Sequence, residues 1–133
     1  MFLIQGIYWE SAQMLDSSYK PELGLAIEEA DLIVARMFSG IIYRARHGPP
    51  GYVGLMNDNH GRSLLTDVVL NPSPSFTKKY GRPDGNRSVL SYKFFRKEEG
   101  VWYGRWQSEH GGGDAQCVIT EVPDTFPSLL ALS

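Results

Sequence analysis

The sequence predicts a mainly β protein: an antiparallel meander of seven or eight short strands that closes into a small barrel or a strongly bent sheet. Three observations support this class. Apolar residues recur with a period of two in successive runs, and Gly- and Pro-rich segments that break strands separate these runs. A helical period of apolar residues occurs in only one short stretch. With 133 residues, 42% of them hydrophobic, the chain predicts one domain, residues 1–133, with a real core. A barrel is favoured because it leaves no edge strands.

A hairpin within residues 88–122 is the strongest of these elements. Two aromatic runs flank Glu98-Glu99-Gly100, and a three-residue loop that ends on a left-handed glycine is common in hairpins. Placing Lys97 opposite Val101 gives one predicted core face, made of Leu90, Tyr92, Phe94, Trp102, Gly104 and Trp106. The same register puts Lys93 opposite Arg105. Such a like-charge pair destabilises a sheet unless an acid, such as Glu121, or a ligand anion neutralises it.

The chain before this hairpin opens with a strand and a short helix. Residues 2–9 are apolar on both faces, which predicts a strand inside the sheet. A helical period then follows, with Pro21 in its first turn, and predicts a helix at about 20–30. In residues 32–45 the apolar residues again recur with a period of two, which predicts strand. Ser39-Gly40 forms a turn between two strands here, or Gly40 forms a bulge in one long strand.

Several breakers divide the remaining strands. Strands at 52–56 and 63–70 flank a polar turn, residues 57–61, in which Asn57, Asp58 and Asn59 are interpreted as solvated. Residues 71–87 hold three of the eight prolines and predict a long basic loop, of the length that is often functional. The three glycines at 111–113 predict a turn before a last strand at 115–122, and residues 123–133 predict a tail packed on the body.

A first strand, a short helical segment and an antiparallel meander together resemble the calycin barrels, the lipocalins and fatty-acid-binding proteins. The Gly-x-Trp signature of that family lies on its first strand. In this chain the first strand reads Gly6-Ile7-Tyr8-Trp9, one residue longer, and Gly104-Arg105-Trp106 lies near the other end. The resemblance is topological and covers most of the chain. It implies a barrel with a small, partly apolar ligand in its mouth.

Composition and charge exclude several classes of partner. Residues 1–31 carry one base against six acids, residues 32–97 eleven against three, and residues 98–133 one against six, for a net charge of −2. This overall acidity argues against nucleic-acid binding. The apolar opening is too short to span a membrane, so no membrane partner is expected. The lone Cys117 excludes an internal disulfide and fits a reducing compartment, which predicts a cytoplasmic protein.

No catalytic motif is visible, and no cofactor or metal is expected. The three histidines, His47, His60 and His110, lie in predicted turns without a second ligand at metal-binding spacing. The glycines after His110 resemble an oxyanion loop, but the nucleophile elbow that accompanies it is absent. Phosphate-loop spacing is absent as well.

Cations and aromatic residues therefore carry the functional hypotheses. The first hypothesis is a binding protein for a partly apolar, acidic-headed small molecule, with a ligand site drawn from Lys93, Arg105, Arg44, Arg46, Tyr92 and Trp106. Lys78, Lys79, Arg82 and Arg87 are placed on the long loop. The second is a small enzyme with Asp67, His60 or Tyr80 as acid or base at the barrel mouth. The third is a homodimerising interaction module.

Overall fold

A computed structural model of the chain describes residues 1–10, 35–81 and 89–123. The regular elements of these ranges are strands that pair antiparallel in sequence order and form a closed barrel, with β1 also paired to β8. The strands are β1 (Phe2–Glu10), β2 (Arg36–Arg44), β3 (Tyr52–Asp58), β4 (Gly61–Val69), β5 (Ser75–Tyr80), β6 (Val89–Glu98), β7 (Val101–Ser108) and β8 (Gly111–Glu121). The prediction of a mainly β barrel of seven or eight antiparallel strands is thereby confirmed, with eight strands. The predicted helix at 20–30, the end of the basic loop at 82–87 and nearly all of the tail at 123–133 lie outside the described residues.

Alternate residues of each strand fill the barrel interior with a largely aromatic and aliphatic core. Tyr92 lies at its centre, stacked on Phe76 with ring centroids 5.0 Å apart and within 6.3 Å of Phe94. The predicted inner face of the hairpin is confirmed, because Leu90, Tyr92 and Phe94 are buried and Trp102 and Trp106 pack against the core. No helix of the described ranges is long and apolar enough to cross a membrane.

The barrel has two distinct ends. Strands β1, β3, β5 and β7 finish at one of them, where β2, β4, β6 and β8 begin. Lys78 lies near this end, which is therefore called the Lys78 end. The two-residue turn at Asn59-His60 connects β3 to β4 there.

The structure corrects the prediction for residues 32–45. β2 runs through Gly40 with unbroken register on both sides, opposite Ile4 on β1 and Met56 on β3. The predicted turn at Ser39-Gly40 is therefore wrong, and the single-strand alternative holds without its bulge. Glycine suits this position because a Cβ at Gly40 would overlap the backbone oxygen of Leu55.

The predicted loop over 71–87 is also wrong in its central part. Ser75–Tyr80 is strand β5, paired with β4 on one side and β6 on the other. Two of the three prolines that suggested a loop, Pro72 and Pro74, lie before this strand, where the Pro74 carbonyl oxygen accepts a hydrogen bond from the backbone N–H of Phe94 at 2.9 Å. These two prolines belong to the short connection between β4 and β5 rather than to a long loop.

The β6–β7 hairpin turns more tightly than predicted. Glu99 and Gly100 both have positive φ, 52° and 83°, which is the signature of a two-residue type I′ turn. Glu98 therefore pairs with Val101, and Lys97 pairs with Trp102 instead of Val101. A bulge at Phe95 absorbs the one-residue difference. The predicted pairing of Lys93 with Arg105, and that of Tyr92 with Trp106, is therefore confirmed.

The glycine triplet belongs to β8 rather than to the preceding turn. The turn is Glu109-His110, and β8 begins at Gly111. β1 approaches so closely that a Cβ at Gly113 would overlap the backbone oxygen of Trp9. Glycine is needed here for close strand approach, not for turning.

Candidate functional site

Strand β5 carries a lysine into the barrel interior. Its burial alternates, so that Phe76, Lys78 and Tyr80 all point inward and are buried. The Lys78 side chain is 0% exposed. The prediction that Lys78 is a cation of an exposed loop is therefore wrong.

Asp58 neutralises this buried ammonium group. As the last residue of β3, Asp58 points inward, and its Oδ2 lies 2.6 Å from Lys78 Nζ. Its side chain is also 0% exposed, so the interpretation of residues 57–61 as a wholly solvated turn is wrong. The backbone N–H of His60 donates to Asp58 Oδ1 at 2.8 Å, which fixes the carboxylate from the turn side.

Three tyrosines enclose the ion pair. Lys78 Nζ donates to the Tyr92 hydroxyl at 3.1 Å and lies 4.9–5.0 Å from the ring centroids of Tyr8, Tyr80 and Tyr92. The Tyr80 hydroxyl donates to Asp58 Oδ2. The Tyr8 hydroxyl donates to Asn59 Oδ1 at 2.7 Å and so links the cluster to the β3–β4 turn. Tyr8, Asp58, Lys78, Tyr80 and Tyr92 are called the Lys78 cluster below.

Burial sets the protonation of the cluster. Loss of solvent lowers the pKa of Lys78, and the hydrogen bond and charge of Asp58 oppose that shift in part. Burial alone would raise the pKa of Asp58, but hydrogen bonds from Lys78 and Tyr80 outweigh it, and the pKa falls below its usual value. Burial and then the Asp58 charge raise the pKa of Tyr8 to about 12, and the pKa values of Tyr80 and Tyr92 also rise. The tyrosines are therefore neutral hydroxyl groups around an ion pair.

The cluster combines hydrogen-bond donors and one carboxylate acceptor with an apolar enclosure. This arrangement can orient a polar group of a small molecule or move a proton between the Tyr80 hydroxyl and the Asp58 carboxylate. Within residues 1–10, 35–81 and 89–123, no three His, Cys, Asp or Glu side chains lie together as metal ligands would.

The structure brings four of the predicted site residues together, namely Tyr80, Tyr92, His60 and Trp106. Tyr80 and Tyr92 belong to the Lys78 cluster, and the His60 ring lies 6.1 Å from the Tyr80 ring at its rim. Trp106 lies beside them: its ring meets Tyr8 edge-on at 5.7 Å, and its Nε1 donates to the Trp9 carbonyl at 3.0 Å.

Asp67 is separated from this group by a bulge. Strand alternation after Ser63 and Leu65 would turn Asp67 inward, but the register shifts at this point and Asp67 has a φ of 52°. Val68 takes the inward position instead, and Asp67 is exposed toward the opposite end of the barrel. Asp67 therefore does not reach the Lys78 cluster.

Arg44 and Arg46 also lie at the opposite end. The Arg44 guanidinium lies 5.3 Å from the Tyr52 ring centroid, and Arg46 is exposed in the connection from β2 to β3. Neither arginine contributes to the Lys78 cluster.

Lys93 and Arg105 are direct cross-strand partners, as the sequence predicts. Both are exposed on the outer face of the barrel rather than at its mouth. The β8 residue opposite Arg105 is Asp114, whereas Glu121 pairs with Phe2 on β1. The role of the two cations in ligand binding stays a prediction, as does the homodimer.

Sequence reasoning missed Lys78 and Asp58, the two central residues of the cluster. One signal for Lys78 was present, since Phe76, Lys78 and Tyr80 occupy alternate positions and the flanking aromatics favour an inward face. No comparable signal marked Asp58, because its contact with Lys78 joins residues 20 positions apart on strands that are not neighbours.

Comparison with known proteins identified no relative of this chain. No protein-family model matches the chain, and no curated protein or solved structure matches it either.

Proposed function

We propose that this protein binds a small, partly apolar molecule at the Lys78 end of its barrel, as the calycins bind ligands in their barrels. The observation that carries the proposal is the buried Lys78–Asp58 ion pair, enclosed by tyrosines in an otherwise apolar interior. The sequential eight-stranded order also supports a calycin-like barrel.

The energetics of the ion pair support a functional role. Moving two charges out of water costs several kcal/mol per ion, and replacing a buried pair by apolar residues is often neutral or stabilising. A barrel selected for stability alone would have little use for Lys78 and Asp58. Strongly perturbed ionisable groups in an apolar enclosure are instead characteristic of binding and catalytic sites.

The chemistry of the cluster specifies the ligand further. Asp58 already neutralises Lys78, so a neutral oxygen-bearing head group, a carbonyl or hydroxyl, suits this end better than a second anion. The Tyr8 hydroxyl, once released from Asn59, supplies a donor to such a head, and the rings of Phe38 and Phe76 supply an apolar wall. Tyr8 and Tyr80 are only 5% and 4% exposed, so a ligand enters by displacing the β3–β4 turn.

The test compares the wild-type protein with a charge-balanced variant. Lys78→Met alone leaves Asp58 buried and unpaired, which should destabilise the fold by about 3–5 kcal/mol. The double variant Lys78→Met/Asp58→Asn removes both charges and should recover most of that stability. It is therefore the proper variant for binding measurements.

Native mass spectrometry of the purified protein, followed by a thermal-shift panel of apolar ketones, aldehydes and alcohols, provides the readout. We expect a bound or stabilising neutral compound for the wild type and at least a tenfold weaker affinity for the folded double variant. Equal binding by both proteins, or no binding by the wild type, would contradict the proposal.

A second candidate function is acid–base catalysis, because Tyr80 and Lys78 hydrogen-bond the same oxygen of Asp58. The raised pKa of Tyr80 keeps its proton at neutral pH, so Tyr80 would polarise a carbonyl oxygen by a hydrogen bond, while the Asp58 carboxylate would accept the α proton and return it. Proton exchange α to a carbonyl, followed by NMR in D₂O, tests this function without a known substrate. Tyr80→Phe should abolish the exchange, and Tyr103→Phe on the outer face is the matched control.

A further inference from the structure

A depression on the outer face of β6 and β7 shares no residue with the Lys78 cluster, although Trp106, whose ring contacts Tyr8, also lines it. It measures about 230 Å³ and is lined by Ser91, Lys93, Phe95, Arg105, Trp106 and Gln107. Two register pairs build it, Ser91 with Gln107 and Lys93 with Arg105. The bulge at Phe95 leaves that side chain 40% exposed beside them. The depression therefore combines two cations, two neutral polar residues and two aromatic residues.

The charges around this depression favour an anion. The cross-strand neighbours of Lys93 are Arg105 on β7 and Ser75 on β5, so neither position supplies an acid. Asp114 lies opposite Arg105 on the far side, on β8. Among the described residues that pair at these positions, one carboxylate and two cations give a net charge of +1. Cations placed directly opposite each other repel, and an anion between them would relieve the repulsion.

The lining residues indicate the class of anion. Guanidinium and ammonium groups bind carboxylate or phosphate, and the exposed Phe95 ring offers a surface to an apolar or aromatic body. The volume lies below the range of sites for drug-sized ligands, which fits a one-ring compound. We propose that this depression binds a small organic anion, a carboxylate or phosphate on an aromatic body, between Lys93 and Arg105.

This inference does not depend on the function proposed for the barrel interior. It assigns the acidic ligand predicted from the sequence to a surface site, whereas the Lys78 cluster takes a neutral head group. The two sites can therefore be tested separately, and the failure of one leaves the other standing.

The experiment uses phenyl phosphate as the probe, with inorganic phosphate and phenol as its two halves. Titration of the ¹⁵N-labelled protein should shift the backbone amides of Ser91, Lys93, Phe95 and Gln107. Phenyl phosphate should bind more tightly than either half. Lys93→Gln should weaken its binding about tenfold or more, the effect of losing one charge-assisted contact.

Lys79→Gln is the matched control, because Lys79 is also an exposed strand lysine and lies opposite Leu64 and Val89 rather than a cation. It should leave affinity within about twofold of the wild type, and so should the Lys78→Met/Asp58→Asn variant. An equal loss in Lys79→Gln would mean that only diffuse charge attraction acts, and it would overturn the proposal. Amide shifts that avoid β6 and β7 would overturn it as well.

Discussion

At the scale of single residues, Tyr8 connects the interior of the barrel to the turn that covers it. Its hydroxyl donates to Asn59, and its ring lies under Lys78 Nζ and edge-on to Tyr92 and Trp106. An ionised tyrosine here would be desolvated and would face the Asp58 carboxylate. This is why burial and the charge of Asp58 raise the pKa of Tyr8 to about 12.

The raised pKa predicts how stability depends on alkaline pH. The folded state holds the Tyr8 proton more tightly than the unfolded state, whose tyrosine pKa is 10.0. The contribution of the protonated Tyr8 to the free energy of unfolding is fully present below pH 10 and is lost as the pH rises from 10 toward about 12. Tyr8→Phe should cost about 1 kcal/mol near pH 7 through its lost hydrogen bond, but should lose stability less steeply above pH 10.

Urea unfolding at pH 7, 9, 10 and 11 measures both effects. Some alkaline loss should remain in the variant, because Tyr80 and Tyr92 also have raised pKa values. An alkaline slope identical in the variant and the wild type would show that Tyr8 does not contribute to it.

Lys78 shows which part of the site the sequence could supply. The alternation of β5 is visible in Phe76, Lys78 and Tyr80, so an inward lysine was predictable once residues 75–80 were taken as a strand. Its partner was not predictable, because Asp58 reaches Lys78 across the interior from a non-neighbouring strand. Because Lys and Asp are charged residue types, both side chains were expected to be exposed to solvent. Only the closed barrel shows that each is buried and paired with the other.

At the scale of elements, the β6–β7 hairpin shows how a turn and a bulge compensate. The two-residue turn shortens the connection by one residue relative to the predicted loop, and the bulge at Phe95 restores the predicted pairing of Tyr92 with Trp106. The core face was therefore predicted correctly from aromatic alternation alone. The turn was not, because its type I′ geometry needs positive φ at Glu99, a residue that disfavours it.

Strain at Glu99 predicts a stabilising substitution. Asn tolerates positive φ far better than Glu, and Asn-Gly is the preferred pair in type I′ turns. Glu99→Asn should therefore raise the free energy of unfolding by about 0.5–1 kcal/mol, measured by urea unfolding. Glu109→Asn, in the β7–β8 turn, is the control, because Glu109 is not among the residues with positive φ. A gain of the same size in both variants would indicate a general charge effect rather than relief of backbone strain.

At the scale of the whole molecule, pairing of β1 with β8 closes the barrel and joins the two acidic ends of the chain. Phe2 pairs with Glu121 and Glu10 with Gly113, so the contact runs the full length of β1 and most of β8. The sequence predicted closure from the need to avoid edge strands, and the strand count followed from its breakers. It could not specify the β1–β8 register, because that pairing joins residues more than 100 positions apart and no local signal marks it.

Gly6 lies within this β1–β8 contact and provides a test of closure. A Cβ at this position would overlap the backbone oxygen of Gln116 and crowd the Phe38 ring. Gly6→Ala should therefore cost about 1–3 kcal/mol through overpacking, in both urea and thermal unfolding. Gly81→Ala is the matched control, because a Cβ there meets nothing within 4 Å, and its stability should stay within about 0.5 kcal/mol of the wild type.

Because β1 and β8 complete a single barrel, tryptophan fluorescence and far-UV circular dichroism should report the same transition for Gly6→Ala. Separate transitions would show that the β1–β8 contact opens independently, and an unchanged midpoint would contradict the close approach of β8 to Gly6.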